Sequence, residues 1–409
     1  MKNKKLLLPY FKNILLFLFI FFLPTQFGKH FFLPFSYISG VRIDYLAPTL
    51  YFTDILTIIL ILVNINNVVS FFKSKKILFF IIFISLNVIF SLSPLISLYC
   101  AFKILEFLAL AAIIKIEYPA KKSIILQALI FGLIMQFILV FSQFITKQSL
   151  QGIWYFVGER YIHLGLPDIA KASLNGFEIL RPYGTFSHPN SMAGFYLILS
   201  LFILTNKAVT NIFFKYLFLI LSAFIIILSF SKASLIIFGT LLIYYFFSSP
   251  LLRCKICSIA KTIVIGLIIF LFFQVQTDPL SLQKRIELTS DAFKIILQFP
   301  LLGTGIGNYL YAQSTFPIRY PYFFLQPVHN IFLLLIAETG IPFGIFFIGT
   351  LIKIFFKTIK ESPFLLVFLA FILTGINDHY WFTLQQNILL LAVMSGIFLS
   401  NNVPLKNGE

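Results

Sequence analysis

Apolar segments of about 20 residues recur from one end of this 409-residue chain to the other. A helix of that length crosses the hydrocarbon core of a bilayer, which is about 30 Å thick. Only 11% of the residues are charged and the mean hydropathy is +0.97, whereas about 25% of residues are charged in soluble domains. The sequence therefore predicts an all-α polytopic membrane protein.

The apolar segments predict twelve membrane-spanning helices, interrupted by two long polar stretches. The predicted spans cover residues 6–23, 45–63, 77–93, 96–114, 123–145, 189–206, 211–229, 233–248, 259–276, 329–352, 364–377 and 384–400. The regions that follow are helices 1–5 (1–145), a first outer loop (146–188), helices 6–9 (189–276), a second outer loop (277–328) and helices 10–12 (329–409). Both loops are rich in aromatic residues, which predicts that they are ordered.

The basic residues predict how the chain is oriented in the membrane. The formal net charge is +17, but the lysines and arginines are spread over short loops and do not form the single stripe that a nucleic-acid site requires. Clusters of Lys and Arg in short loops mark the cytoplasmic side of a membrane protein. The pattern predicts cytoplasmic N and C termini, with both long loops on the outer face, and argues against nucleic-acid binding.

The second outer loop begins with a predicted amphipathic helix. Pro279 suits a first helical turn, and Leu282 and Ile286 start an apolar stripe at helical spacing. Such a helix is expected to lie at the membrane surface. Arg285 borders the apolar stripe, so its side chain either turns inward toward a cavity or extends to the lipid headgroups.

His329 is the candidate catalytic residue of the chain. It opens the segment HNIFLLLIAETGIPFG, in which Asn330 follows directly and Glu338 comes nine residues later, inside the apolar run. An imidazole with an ordinary pKa near 6.5 exchanges protons at neutral pH, which suits a general base. An ionisable group such as Glu338 is costly inside a span and usually functional. The alternative is a histidine that anchors the chain at the lipid interface.

A second set of polar residues closes the first outer loop, in the segment RPYGTFSHPN. Pro189 suits the first turn of the next helix, and Ser187 or His188 suits its cap. Because the free N–H groups at a helix start attract anions, Arg181, His188 and Asn190 are candidates for binding a phosphate group. An ordinary helix cap is the alternative.

Lys232 lies in the segment SFSKAS, which joins the seventh and eighth predicted spans with almost no loop. Taken alone, it is a lysine that extends to the headgroups. On the same membrane face as Arg181, Arg285 and His329, it is expected to help neutralise a diphosphate.

Three further motifs have no role that the sequence assigns. The glycine-rich segment GTGIGN (303–308) does not lie between a strand and a helix, as a nucleotide-binding turn would. Cys254 and Cys257 form a single C-x-x-C, which is weak evidence for metal or redox chemistry without a second pair. Asp378 and His379 either join a site or anchor the interface.

Four segments resemble the O-antigen ligase and O-antigen polymerase superfamily of bacterial integral membrane proteins. They are RPYGTFSHPNSMAG, SFSKAS, the run from Arg285 to FPLLGTGIGNY, and HNIFLLLIAETGIPFG. The last is the most specific, and the resemblance covers roughly residues 180–360. Two positions depart from the family pattern: Lys232 stands where arginine is usual, and Phe343 where a small residue is commoner.

The resemblance implies a GT-C-like fold and a glycosyltransferase that requires no metal or other cofactor. The family takes a glycan from a polyprenyl diphosphate, such as undecaprenyl diphosphate, at the outer face of the cytoplasmic membrane. It passes the glycan to a hydroxyl of lipid A core in lipopolysaccharide, of another glycan or of a protein. By this resemblance His329 is the general base, and Arg285 and Lys232 bind the diphosphate leaving group.

The main alternative is a polytopic transporter or flippase of lipid-linked glycans. Transporters commonly contain internal repeats and polar residues near the bilayer midplane, whereas the polar residues here cluster toward one membrane face. A purely structural membrane protein would leave the outer placement of Arg285 and His329 without a purpose. Ligases and polymerases share these motifs, so both activities remain open.

Overall fold

A computed structural model describes the chain at residues 2–167, 169–174, 176–248, 266, 279–316, 325–360 and 362–401. This described part is mostly helical, with short two-stranded antiparallel sheets, which confirms the predicted all-α class. Nearly all of the ninth predicted span, with Cys254 and Cys257, lies outside the described residues.

The helices agree closely with the predicted spans. Up to the first outer loop they are α1 (Lys2–Phe21), α2 (Phe52–Val63), α3 (Ile65–Phe72), α4 (Lys75–Ile89) and α5 (Pro94–Thr146), with α6 (Ile153–Phe156) inside the loop. Beyond it they are α7 (Pro189–Thr205), α8 (Ile212–Leu228), α9 (Lys232–Ser248), α10 (Pro279–Gln298), α11 (Tyr309–Gln313), α12 (Ile331–Thr339), α13 (Ile341–Lys360), α14 (Ser362–Asn377), α15 (Tyr380–Thr383) and α16 (Gln385–Asn401).

The predicted start of the second span is wrong, whereas the predicted division between the fourth and fifth spans agrees with the structure. The second span was predicted from residue 45, but the helix begins at Phe52, because the preceding residues form a short 3-10 turn and a strand. The fourth and fifth predicted spans, 96–114 and 123–145, form the two parts of α5, which meet at a kink. The backbone of α5 leaves helical geometry only at Lys121. Pro119 explains this break, since a proline inside a helix removes a hydrogen bond and kinks it.

By length and composition, two helices of the described residues can each cross a membrane: α5, and the stretch Ile341–Thr358 of α13. Helices α2 and α3 make a third span if they are taken together, with a bend of 87° between them. The shorter apolar helices have 10–17 residues and are Pro9–Phe21, Pro189–Thr205, Ile212–Leu228, Lys232–Phe247 and Phe364–Asn377. The apolar helical class is thus confirmed, while the count of twelve spans and the GT-C-like class stay predictions.

Helix α7 is the centre of the bundle. Every residue from Ser191 to Leu204 is buried, and α8, α9, α14 and α16 pack against it. A helix that is apolar on all sides is stable where other helices surround it. The first residues of α7, 188–190, are therefore fixed near the middle of one end of the bundle.

The segments that connect α1 to α2 and α5 to α7 are ordered. In the first connection, β1 (Gly28–His30) pairs with β4 (Thr49–Tyr51) and β2 (Tyr37–Ile38) pairs with β3 (Val41–Arg42), both antiparallel. In the second, β5 (Lys171–Leu174) and β6 (Phe177–Leu180) form an antiparallel hairpin. The described part of the predicted first outer loop thus contains α6 and a β-hairpin.

Helix α10 begins at Pro279, as predicted, and has two apolar sides. Leu288 and Ile295 are buried against the rest of the protein, whereas Leu282 and Ile286 are more than 60% exposed. An exposed apolar stripe beside charged residues is what a membrane surface contacts. The helix therefore fits the predicted position at the lipid interface.

The glycine-rich segment 303–308 packs against the end of α12. The Gly305 N–H donates to the carbonyl oxygen of Glu338 at 3.1 Å. Gly303 and Gly340 both have positive φ, and a Cβ on either one would collide with the backbone of the facing segment. These glycines allow a close backbone contact, and the contact at Gly340 divides the predicted tenth span into α12 and α13.

Phe343, one of the two departures from the family pattern, fills space between α4 and α13. Its ring stacks on the ring of Phe83, with centroids 4.3 Å apart and an interplanar angle of 7°. It also stacks on Phe80, with centroids 6.0 Å apart. The bulky side chain at this position therefore packs two helices together.

Candidate active site

One small cavity collects polar side chains from four parts of the chain. Asn190 comes from the start of α7, Ser231 and Ser234 come from the start of α9, and Arg285 comes from α10. Asp378 comes from the connection between α14 and α15, and Tyr380 is the first residue of α15. These elements lie far apart in the sequence, so the tertiary fold alone builds the cavity.

A hydrogen-bonded series of side chains fixes one wall of this cavity. Arg181 donates through Nε to the carbonyl oxygen of Ser229 at 2.7 Å and through Nη2 to Oδ1 of Asn190 at 2.6 Å. Asn190 in turn donates through Nδ2 to Oδ2 of Asp378 at 3.1 Å. Burial lowers the pKa of Arg181 to about 10, so the guanidinium remains charged at neutral pH. Because it bonds to both groups, Arg181 holds Asn190 and the turn before α9 in place.

His188 is the cap of α7. Its Nδ1 accepts the backbone N–H of Asn190 at 3.1 Å, and Pro189 is the first helical residue, which confirms the predicted helix start. Burial and the charge of Arg181 lower the pKa of His188 to about 3. A neutral imidazole therefore occupies the helix start and satisfies one of its free N–H groups.

Two histidines and one carboxylate meet beside the cavity. One donor atom each from His329, Asp378 and His379 lies within 4.8 Å of the other two. The imidazole rings of His329 and His379 meet edge to face, with centroids 5.3 Å apart. Asp378 is held by the backbone N–H of His379, which donates to Oδ1 at 2.8 Å, and by Asn190. The carboxylate is thus held close to both rings.

The charges of these groups depend on one another. Burial lowers the pKa of His329, although the Asp378 carboxylate acts in the opposite direction. Burial likewise lowers the pKa of His379 to about 4. Burial favours a higher pKa for Asp378, but the neighbouring imidazoles and the hydrogen bond from Asn190 outweigh it and lower the pKa. Burial thus disfavours the charged form of all three groups, and the attraction between the carboxylate and the imidazoles opposes this effect.

The side chain of Arg285 lines the cavity. It therefore turns inward, which is one of the two orientations that the sequence allows. Its charge acts on His329 and contributes to lowering the pKa of that histidine. Lys232 is the half-buried first residue of α9, between the lining residues Ser231 and Ala233. The structure thus brings Arg285 to the cavity and Lys232 to its border.

Two other predicted site residues support the local backbone. Asn330 caps α12, where its Oδ1 accepts the N–H groups of Phe332 and Leu333 at 2.9 and 3.1 Å. Glu338 accepts the backbone N–H of Tyr309 at 3.4 Å. His329 precedes α12, whereas Glu338 lies in its last turn, seven helical residues or about 10 Å beyond Ile331. Glu338 therefore lies at the glycine-rich segment and not in the cavity.

Sequence reasoning did not assign Asp378, His379 and Tyr380 to the site. The signal was present, because NDHY is a polar interruption between two apolar helices. The sequence does not reveal the partners of Asp378, because Asn190 and His329 lie 188 and 49 positions away from it. Tyr45, whose ring meets that of His379 edge to face at 5.6 Å, comes from a connection whose sequence carries no comparable signal.

The apolar helical bundle and this cavity define a class of protein, namely an integral membrane protein with a histidine- and arginine-containing polar site at one end of its helices. Residues 217–348 match the family model described as O-Antigen ligase. This match confirms the resemblance to the O-antigen ligase and polymerase superfamily over that part of the chain. It covers about a third of the chain and includes Lys232, Arg285 and His329. No curated protein matches the chain.

Proposed function

We propose that this protein is a membrane glycosyltransferase of the O-antigen ligase and polymerase type. The donor is a glycan on a polyprenyl diphosphate. The glycan is transferred to a hydroxyl group of a lipid, another glycan or a protein. The reaction takes place at the outer face of the bacterial cytoplasmic membrane, where it contributes to surface polysaccharide or glycoconjugate assembly.

The observation that carries this proposal is the convergence of cations and a half-buried histidine around one cavity. Arg285 lines the cavity and Lys232 borders it, while His329 lies beside it next to Asp378. A diphosphate leaving group needs positive charge, and an attacking hydroxyl needs a base. The family match at residues 217–348 supports the same pairing.

In the proposed reaction, the acceptor oxygen attacks the anomeric carbon of the donor sugar. The bond between that carbon and the phosphate oxygen breaks, and both bonding electrons leave with the diphosphate, which remains on its polyprenyl chain. Arg285 and Lys232 stabilise the negative charge that develops on the diphosphate. Lysine retains the charge of the usual arginine but lacks its two-pronged geometry.

The proton of the acceptor hydroxyl passes to His329. A neutral imidazole has the lone pair that this step requires. The Asp378 carboxylate, within 4.8 Å, stabilises the imidazolium that results. Asn190 donates to that carboxylate, and Arg181 holds Asn190 in place. Besides their proposed contribution to donor binding, these two residues therefore position Asp378.

The test uses the full chain in lipid, with a polyprenyl-diphosphate oligosaccharide and a panel of acceptor glycans. Transfer is compared between the wild type and the variants His329→Ala and Arg285→Ala. Loss of a general base is expected to slow transfer by about 100-fold or more. The matched controls are His163→Ala in the first outer loop and Arg42→Ala, whose side chain is exposed and paired with Asp44. Both controls are expected to transfer glycan at the wild-type rate.

The acceptor that is glycosylated distinguishes a ligase from a polymerase. If the two site variants fold and transfer glycan as the wild type does, His329 is an interface residue and the proposed mechanism is wrong. Carrier that moves across the bilayer without glycan transfer would instead favour the transporter alternative.

A further inference from the structure

The group formed by His329, Asp378 and His379 has the composition of a metal site. It provides two imidazoles and one carboxylate, and one donor atom of each lies within 4.8 Å of the others. Asp378 and His379 are both less than 10% exposed. A four-coordinate zinc ion with bonds of about 2.0–2.1 Å requires its donors to lie about 3.4 Å apart. The donor atoms therefore need to approach one another by up to about 1.4 Å, from 4.8 to 3.4 Å, to bind such an ion.

The hydrogen bonds around His379 leave one particular ring nitrogen available to bind a metal ion. The hydroxyl of Thr383 donates its hydrogen to the carbonyl oxygen of His379 at 3.2 Å. The Thr383 oxygen is then the acceptor for the Nδ1–H of His379, at 2.8 Å. Nε2 is left with the lone pair. A hydrogen bond that fixes the far nitrogen in this way is the usual support of a metal-binding histidine.

His329 contributes a nitrogen that the rest of the protein does not satisfy. Its Nδ1 is enclosed and has no hydrogen-bond partner among the residues that the structure describes. A buried polar atom without a partner costs free energy, and such an atom in a native protein calls for an explanation. Rotation of this ring toward an ion therefore breaks no hydrogen bond at Nδ1.

Asp378 supplies the negative charge that a cation needs. Its two oxygens accept one hydrogen bond each, from the His379 N–H and from Asn190. A carboxylate has about four lone-pair sites, so an ion can bind without displacing either donor. Arg181 donates through Nε to the carbonyl oxygen of Ser229 and through Nη2 to Asn190.

From these observations we propose that His329, Asp378 and His379 bind a divalent transition-metal ion of the zinc class. Two imidazoles and a carboxylate are borderline donors that favour zinc, cobalt or nickel over magnesium or calcium. Three protein ligands leave one coordination position for water.

Metal binding at this site is expected to block glycan transfer. This effect rests on the proposed function. A lone pair of His329 that is shared with a metal ion is not available to accept the proton of an acceptor hydroxyl. The ion and the transfer reaction therefore compete for the same side chain. Zinc is expected to inhibit transfer reversibly, and a chelator is expected to restore it.

The first experiment measures metal binding without any substrate. The full chain in lipid, stripped of metal with a chelator, is titrated with Co²⁺, and the visible d–d absorption is recorded. The expected result is one Co²⁺ per chain, displaced by Zn²⁺. His379→Gln and Asp378→Asn are expected to weaken binding about tenfold or more. Thr383→Val retains all three ligands and is expected to weaken binding by a smaller factor, because it removes only the support of His379.

The control variants are His163→Gln and Cys254→Ser. His163 lies in the first outer loop, where its Nδ1 accepts the N–H of Gly165. Both variants are expected to bind Co²⁺ like the wild type, and the spectrum is expected to lack a thiolate charge-transfer band. No Co²⁺ absorption in the wild type, or unchanged binding in His379→Gln with its fold intact, overturns the proposal. So does a spectrum that Cys254→Ser abolishes.

The second experiment measures transfer with and without added Zn²⁺ in each variant. The wild-type rate is expected to fall with zinc, whereas the ratio of the two rates in His379→Gln is expected to stay close to one. Equal inhibition of both proteins would overturn the inhibitory role. If no transfer occurs in any sample, the proposed function fails, while the Co²⁺ titration still decides the metal site.

Discussion

At the scale of single residues, small side chains decide how the polar groups reach the cavity. Gly194 lies on the buried helix α7, and a Cβ there would collide with the hydroxyl of Tyr380. Tyr380 lines the cavity and follows Asp378 and His379 directly in the sequence. The glycine in the segment SHPNSMAG thus has a specific packing role that no local helix rule predicts.

Gly194→Ala is expected to displace Tyr380 and shift the adjacent Asp378. Small displacements of catalytic groups slow reactions strongly, so transfer is expected to fall by roughly tenfold to a hundredfold. The matched control is Gly349→Ala on α13, where a Cβ would meet no atom within 4 Å. Glycan transfer by both variants in lipid provides the measurement. Equal rates in the two variants would show that Tyr380 does not position the site.

At the scale of helices, a close backbone contact separates α12 from α13, although the apolar pattern predicts one continuous helix. The predicted tenth span is continuous in hydropathy from residue 329 to 352. In the structure it breaks at Gly340, whose φ is +84° and whose missing Cβ makes room for the carbonyl of Leu301. The break sets the direction of α12 and thereby the position of His329 at its start.

Gly340→Ala is expected to destabilise the protein through backbone strain and a collision. The strained φ alone costs about 1–3 kcal/mol, and the collision adds about 1–3 kcal/mol. Gly176→Ala separates the two effects, since Gly176 also has a φ of +84° but lies in open space. Thermal unfolding in lipid is expected to show a larger loss for Gly340→Ala. A larger loss for Gly176→Ala would contradict the packing described here.

At the scale of the whole molecule, the proposed reaction requires the cavity and the first outer loop to share one side of the membrane. Tyr161 is an exposed residue of that loop, and Lys75 is the exposed first residue of α4. The basic-residue distribution predicts that these two positions lie on opposite sides.

Single cysteines test this orientation after the three native cysteines have been replaced by serine. Tyr161→Cys is expected to react with a membrane-impermeant maleimide added to intact cells. Lys75→Cys is expected to react only after the membrane is opened. The reverse pattern would place the cavity on the cytoplasmic side, where the proposed reaction does not occur.

The sequence by itself determined the helical class, most helix positions and the segments that carry His329, Arg285 and the α7 cap. It did so because a bilayer demands long apolar segments, and because proline, glycine and polar residues mark helix ends locally. The tertiary structure alone decided that Asp378 and His379 join His329, that Arg285 turns inward, and that Glu338 stays outside the cavity. These outcomes depend on contacts between helices that are distant in the sequence. No local sequence pattern specifies the direction in which the side chains of such helices point.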